Sequence, residues 1–202
     1  MENLKYFYID GKWVTPTSQI TFPVLNPATE AQIGKIILGN TADVDLAVVA
    51  ANNAFETYSK TDKFERLSLL AKLLEATQDR FEDLEQAMSK EMGAPISMSR
   101  AAQADASVGH LHGFIDALKD LEEREVLRSG DIKLKEPIGV CGLITPWNWP
   151  MNQIALKVIP ALATGCCCVL KPSEHTPISA MIYAEIIHEA GYPAGVFNLV
   201  HG

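Results

Sequence analysis

The sequence predicts an α/β protein whose last third is one half of a doubly wound parallel sheet, and three observations carry that prediction. The stretch opening at Gly139 runs Val140-Cys141-Gly142-Leu143-Ile144, and 166–170 reads Cys-Cys-Cys-Val-Leu. Both are unbroken apolar runs of the length expected for strands buried on both faces. A helical pattern follows each of them, over 151–164 and over 178–190, the first opened by Pro150, where a ring-fixed φ suits the first turn. A third strand, 196–200, completes the order β-α-β-α-β.

The first strand hands over to its helix through Thr145-Pro146-Trp147-Asn148-Trp149-Pro150. Ligands of open α/β sheets sit at the carboxyl ends of the strands. An uncharged carboxamide placed there donates two hydrogen bonds without a counter-ion. Asn148 is therefore a candidate binding group, with a loop-capping role as the alternative.

Before this sheet, residues 6–9 and 12–14 read as strands joined by Asp10-Gly11, a hairpin signal. Residues 22–25 and 33–37 read as a second pair around Asn26-Pro27. Residues 41–120 read as helical. Thr41 is the expected N-cap of a helix striped by Val44, Val48, Ala51 and Phe55. Asp62 and Glu65 fit a capping box for a helix striped by Leu67, Leu70, Leu74, Phe81, Leu84 and Met88, which Gly93 and Pro95 end. A further helix over 96–118 is rich in alanine and serine. Residues 122–135 are charged and irregular, with Ser129-Gly130 as a turn and 132–135 alternating like a half-exposed strand.

Seventeen basic residues stand against 25 acidic ones, a net charge of −8 that argues against a nucleic-acid partner. No apolar run approaches the ~20 residues of a membrane span, and the amino terminus has no basic segment followed by an apolar core, so neither a membrane anchor nor a signal peptide is expected. The four cysteines, Cys141 and Cys166 to Cys168, lie in apolar strand sequence. They read as buried small residues in a reducing, cytoplasmic setting rather than as disulfides or a zinc site.

Four motifs give the chain a resemblance to the NAD(P)-dependent aldehyde dehydrogenase family: Pro-Trp-Asn at 146–148, Pro-Ala-Leu-Ala-x-Gly at 160–165, Lys-Pro-Ser-Glu at 171–174 and Ala-Gly-x-Pro-x-Gly-Val-x-Asn at 190–198. The resemblance implies the amino-terminal half of that fold. Residues 1–120 would be the hairpins and helices of the cofactor domain, 121–137 a connecting, oligomerisation-type segment, and 138–202 the first half of an incomplete NAD-binding sheet. It implies that Asn148 contributes to an oxyanion hole, and that Ile144, Thr145, Pro146, Trp147, Asn148, Lys171, Ser173 and Glu174 contact the cofactor. Glu174 would accept hydrogen bonds from the ribose hydroxyls and repel a 2′-phosphate, so NAD is expected rather than NADP; an exposed surface pair with Lys171 is the alternative. It further implies oxidation of an aldehyde to an acid through a cysteine thiohemiacetal, an aldehyde substrate, no metal and a homo-oligomer. The family's nucleophilic cysteine, general-base glutamate and glycine-rich turn have no counterpart among these residues, and Cys166 stands where the family has asparagine. The chain alone is thus expected to be inactive, with its third strand uncovered. The other readings are a non-catalytic cofactor-binding scaffold and a dehydrogenase for semialdehydes or phosphorylated aldehydes.

Overall fold

The computed structural model describes residues 2–202. After a 3₁₀ turn at Glu2–Lys5, β1 (Phe7–Ile9) and β2 (Lys12–Val14) form the first hairpin, with Phe7 opposite Val14. Asp10 (φ 52°) and Gly11 (φ 71°) both take positive φ, the twist that matches right-handed strands. β3 (Thr21–Leu25) and β4 (Gln32–Ile37) make a separate antiparallel pair.

α1 spans Thr41–Tyr58. Its cap is Asn40, not Thr41: the Asn40 side chain accepts from the Asp43 N–H, and the Asp43 carboxylate accepts from the Asn40 N–H at 3.0 Å. An acid three residues after Asn40, and none three after Thr41 that could answer, decides between them. The buried face is also rotated from the expected stripe. Ala47, Ala50, Ala51 and Tyr58 face inward while Val44 is 44% exposed. Small residues let this helix lie close against the sheet, close enough that a Cβ on Gly195 would stand 2.5 Å from the Ala50 carbonyl oxygen. With φ at +80° as well, Gly195→Ala is expected to cost about 2 kcal/mol or more, read as a lowered unfolding midpoint in urea.

The long helix expected after Asp62 is two. α2 (Lys63–Asp79) starts with the Asp62 carboxylate accepting from the Glu65 N–H at 2.8 Å. The chain then bends at Arg80 (φ −100°, ψ 16°) into α3 (Phe81–Met92). Arg80 is held there by Asp83 three residues on and by Glu185 and Glu189 of a distant helix, partners that no local pattern reveals. Leu70, Leu84 and Met88 are buried as expected, and Gly93 (φ 82°) ends α3. The helix expected over 96–118 divides into α4 (Ile96–Met98), a π-helical segment at Ser99–Ala104 and α5 (Asp105–Asp120).

β5 (Arg124–Val126) and β6 (Ile132–Leu134) form a hairpin exposed on both faces, not one, with Ile132 51% and Leu134 57% exposed. Buried Arg66 ties its root to the rest: the guanidinium meets the Glu123 carboxylate and donates to the Ala163 carbonyl at 2.9 Å.

β7 (Val140–Ile144), α6 (Pro150–Ala163), β8 (Cys167–Lys171), α7 (Pro177–Glu189) and β9 (Phe197–Leu199) form the expected alternation, with the three strands parallel. The full sheet runs β2-β1-β9-β8-β7. The third strand is therefore neither uncovered nor an edge. β1 pairs with it antiparallel, Tyr8 opposite Leu199, and Phe197, Asn198 and Leu199 are all buried. The amino-terminal hairpin supplies what local sequence suggested was lacking, and the buried Asn198 carboxamide fastens the join by accepting from the Asp10 N–H at 3.0 Å. The parallel edge without a partner among the described residues is that of β7.

Candidate active site

Register puts the candidate site together. Ile144 lies opposite Lys171, and the Thr145 N–H donates to the Lys171 carbonyl at 3.2 Å. The carboxyl ends of β7 and β8 thus stand side by side, and both candidate loops leave from there.

The loop from β7 turns sharply at Trp149, whose φ of 58° and ψ of 54° lie in the left-handed region. Such a conformation costs a bulky residue about 1–3 kcal/mol. The cause is local in part, since Pro150 bars the right-handed helical region to the residue before it. The turn starts α6 at once, with the Trp149 carbonyl accepting from the Gln153 N–H at 3.0 Å. No side chain caps α6, so Asn148 does not perform the capping role that was its alternative. Its carboxamide is exposed instead, next to the positive end of the α6 dipole. Trp147 is 53% exposed beside it, Pro146 is exposed, and Thr145 is buried.

In the loop from β8, the Lys171 ammonium lies 3.5 Å from the Glu174 carboxylate, each side chain about one third exposed. The Glu174 carboxyl is held below the usual carboxylate range, first by its own backbone N–H and then by Lys171 and His175. It is therefore charged at neutral pH. Ser173 is buried, its hydroxyl accepting from the His175 N–H at 3.3 Å. α7 follows, and its N-terminus is met from a distance: the buried Glu91 carboxylate accepts from the N–H groups of Ile178 (2.6 Å) and Ser179 (2.9 Å). Burial pushes the Glu91 carboxyl up to about 7, against the pull of those hydrogen bonds.

Two clefts open at this end of the sheet. One, of about 580 Å³, lies between the strand ends and the start of α1, with Ile144, Lys171, Val200 and His201 facing Thr41 and Val44. The other, also about 580 Å³, is lined by Trp147, Glu91, His175 and the β3–β4 turn. The structure therefore brings Ile144 and Lys171 into one cleft and places Trp147 in the other; Glu174 lines neither, and reaches the first only through its 3.5 Å approach to Lys171. Sequence reasoning missed the α1 residues and His201. No motif marks them, and only the packing of α1 on β8 and β9 brings them there. His201 is fully buried with neither ring nitrogen bonded, and burial with nearby Lys171 pushes its pKa down to about 3, so it is neutral.

The four cysteines are free thiols, with Cys141 partly exposed and the other three buried. Among the described residues no cluster of His, Cys, Asp and Glu is arranged to hold a metal ion, and no helix is long and apolar enough to cross a membrane.

The sequence profile of the aldehyde dehydrogenase family matches residues 13–202. The chain is 48% identical to a 3-succinoylsemialdehyde-pyridine dehydrogenase of a Pseudomonas species, over all of this chain and 42% of that protein. An aldehyde dehydrogenase crystal structure from Bartonella henselae superposes with a TM-score of 0.96 at 48% identity, covering 98% of this chain and 42% of that one. An aldehyde dehydrogenase C variant from Pseudomonas syringae, solved with NAD+ and octanal, superposes at 0.97 and 46% identity, covering all of this chain and 41% of that one. The chain spans about two fifths of the length of these relatives, and by profile, sequence and fold it belongs to the aldehyde dehydrogenase family.

Proposed function

We propose that this segment holds the adenosine half of NAD and presents an oxyanion-stabilising amide in an enzyme that oxidises aldehydes to acids. The observation that carries the reading is the pairing of the two loops: an exposed, non-capping Asn148 on a strained turn, beside a strand end that displays an ionised Glu174. The cleft at the strand ends suits a flat, partly apolar cofactor, with Lys171 in its lining and Glu174 beside that lysine to receive hydroxyls. When bound, NAD supplies the hydride acceptor. Glu174 selects it, because a charged carboxylate accepts from ribose hydroxyls and repels a 2′-phosphate. Asn148 donates from its side-chain N–H to negative charge developing on the carbonyl oxygen. The attacking thiol and the base come from outside these residues: burial pushes Cys167 up to about 12 and holds Cys168 well above the usual thiol range.

The test uses this segment joined to the carboxyl-terminal region of its Bartonella henselae relative. NAD is expected to be preferred over NADP in kcat/KM, and Glu174→Gln to narrow the gap. An unchanged ratio for Glu174→Gln would remove the ribose role. A semialdehyde is the second substrate reading, favoured by the name of the Pseudomonas relative. Comparing octanal with succinic semialdehyde in the same chimera separates the two.

A further inference from the structure

Two helices meet just after Asn148 through a polar contact that the proposed chemistry leaves unused. Asn152 lies in the first turn of α6, which starts at Pro150. Its Oδ1 is 2.8 Å from Nε2 of His110 on α5, the helix packed along α6. A carboxamide oxygen only accepts, so Nε2 carries the hydrogen of this contact. The bond fixes how the carboxamide faces: Oδ1 is turned to His110, and the NH₂ is turned away from it. Both residues are half-buried, and among the described residues neither the Asn152 NH₂ nor the His110 Nδ1 meets a partner. Joining the helices needs only the oxygen, so two N–H donors remain available one turn beyond Asn148.

We propose that Asn152, oriented by His110, is a specificity-determining residue that selects aldehydes carrying a carbonyl a few carbons from the reacting end over plain alkanals. The inference rests on the aldehyde reading and names its substrate class. The cofactor cleft lies toward α1, so an aldehyde whose oxygen meets Asn148 extends on the other side, along the start of α6. From Asn148 to Asn152 is about one helical turn, ~5 Å. An extended carbon chain covers that in about four bonds. A carbonyl oxygen on the fourth carbon therefore comes within reach of the Asn152 NH₂. A plain alkyl chain in the same place strands both N–H groups away from water, and a site built to hydrogen-bond discriminates against the substrate that lacks the partner. His110 touches no substrate atom. It is a positioning residue, which keeps the carboxamide from turning its oxygen to the substrate.

The chimera with the Bartonella henselae carboxyl-terminal region is assayed for NADH formation with pentanal and with 4-oxopentanal, which differ only in the carbonyl at the fourth carbon. The oxo compound is expected to be favoured about tenfold in kcat/KM, chiefly through KM. Asn152→Asp keeps an oxygen for His110 but has no NH₂, so it should abolish the preference while the melting temperature stays near the parent's. A contact that only joins the helices predicts the opposite, a preference unchanged by Asn152→Asp. Asn152→Leu should abolish the preference too, and decides if the aspartate variant fails to fold. Equal kcat/KM for the two aldehydes in the parent, or a preference that survives these substitutions, would overturn the proposal. Failure of the aldehyde reading looks different, since neither compound would then be oxidised. In that event the binding of the two compounds, read from the fluorescence of Trp147 and Trp149 beside Asn148, carries the same comparison with the same deciding outcomes.

Discussion

Asn148→Ala, in the chimera with the Bartonella henselae carboxyl-terminal region, is expected to lower kcat about a hundredfold or more, since loss of one oxyanion donor typically costs ~3 kcal/mol in the transition state. KM for NAD should change little, because the carboxamide acts on charge that develops only during reaction. The structure strengthens this expectation in one respect. Asn148 is exposed and α6 has no side-chain cap, so removing the amide leaves the start of the helix intact. Stability should then stay within about 0.5 kcal/mol of the parent, as for exposed substitutions generally. Normal turnover in the mutant, measured as NADH formation, would return Asn148 to a loop role. A mutant that lost turnover and unfolded together would do the same.

The largest stability effect is expected at Glu91. Its carboxylate is 4% exposed and receives the Ile178 and Ser179 N–H groups at the head of α7, where no local residue caps the helix. Glu91→Ala strips both donors of their acceptor and opens a void, a loss of about 3 kcal/mol in urea unfolding. Glu91→Gln keeps one oxygen but turns an NH₂ toward the second backbone N–H, so it should fall between. A pH signature separates this cap from ordinary packing. The folded carboxyl sits at about 7 against 4.5 when unexposed to burial, so the native state holds its proton more tightly than the unfolded chain. This contribution to stability is full below 4.5 and is lost as pH rises through 7. The parent should therefore lose stability across that window, and Glu91→Gln should lose much less. Equal slopes for both proteins would mean that Glu91 is charged throughout, its hydrogen bonds outweighing burial.

These two residues mark what could and could not be read along the chain. Asn148 was legible because its neighbours are local: an apolar strand, two flanking tryptophans and a helix-opening proline set it at a strand end. Glu91 was not. It sits in the last turn of α3, looks like any solvated glutamate, and acquires its role from α7, some 87 residues away. The stripe of α1 fails for a related reason. Periodicity located the helix, but which side faces inward depends on how closely alanines let it approach the sheet. The division at Arg80 likewise rests on Glu185 and Glu189, which no window around residue 80 contains.

By itself, then, the sequence determined the alternation of β7, α6, β8, α7 and β9, the two amino-terminal hairpins, the helix end at Gly93, and the loops that carry Asn148 and Glu174. Each follows from short-range chemistry: apolar run length, proline and glycine backbone limits, and motifs of a few residues. Tertiary structure alone decided that β1 closes the edge of β9, that β5 and β6 stand exposed on both faces, and that α1 and His201 line the cleft at the strand ends. The physical reason is common to all three. A strand edge or a helix face has no preferred partner until the chain has collapsed, because the burial and pairing that select one are made with residues far away in sequence.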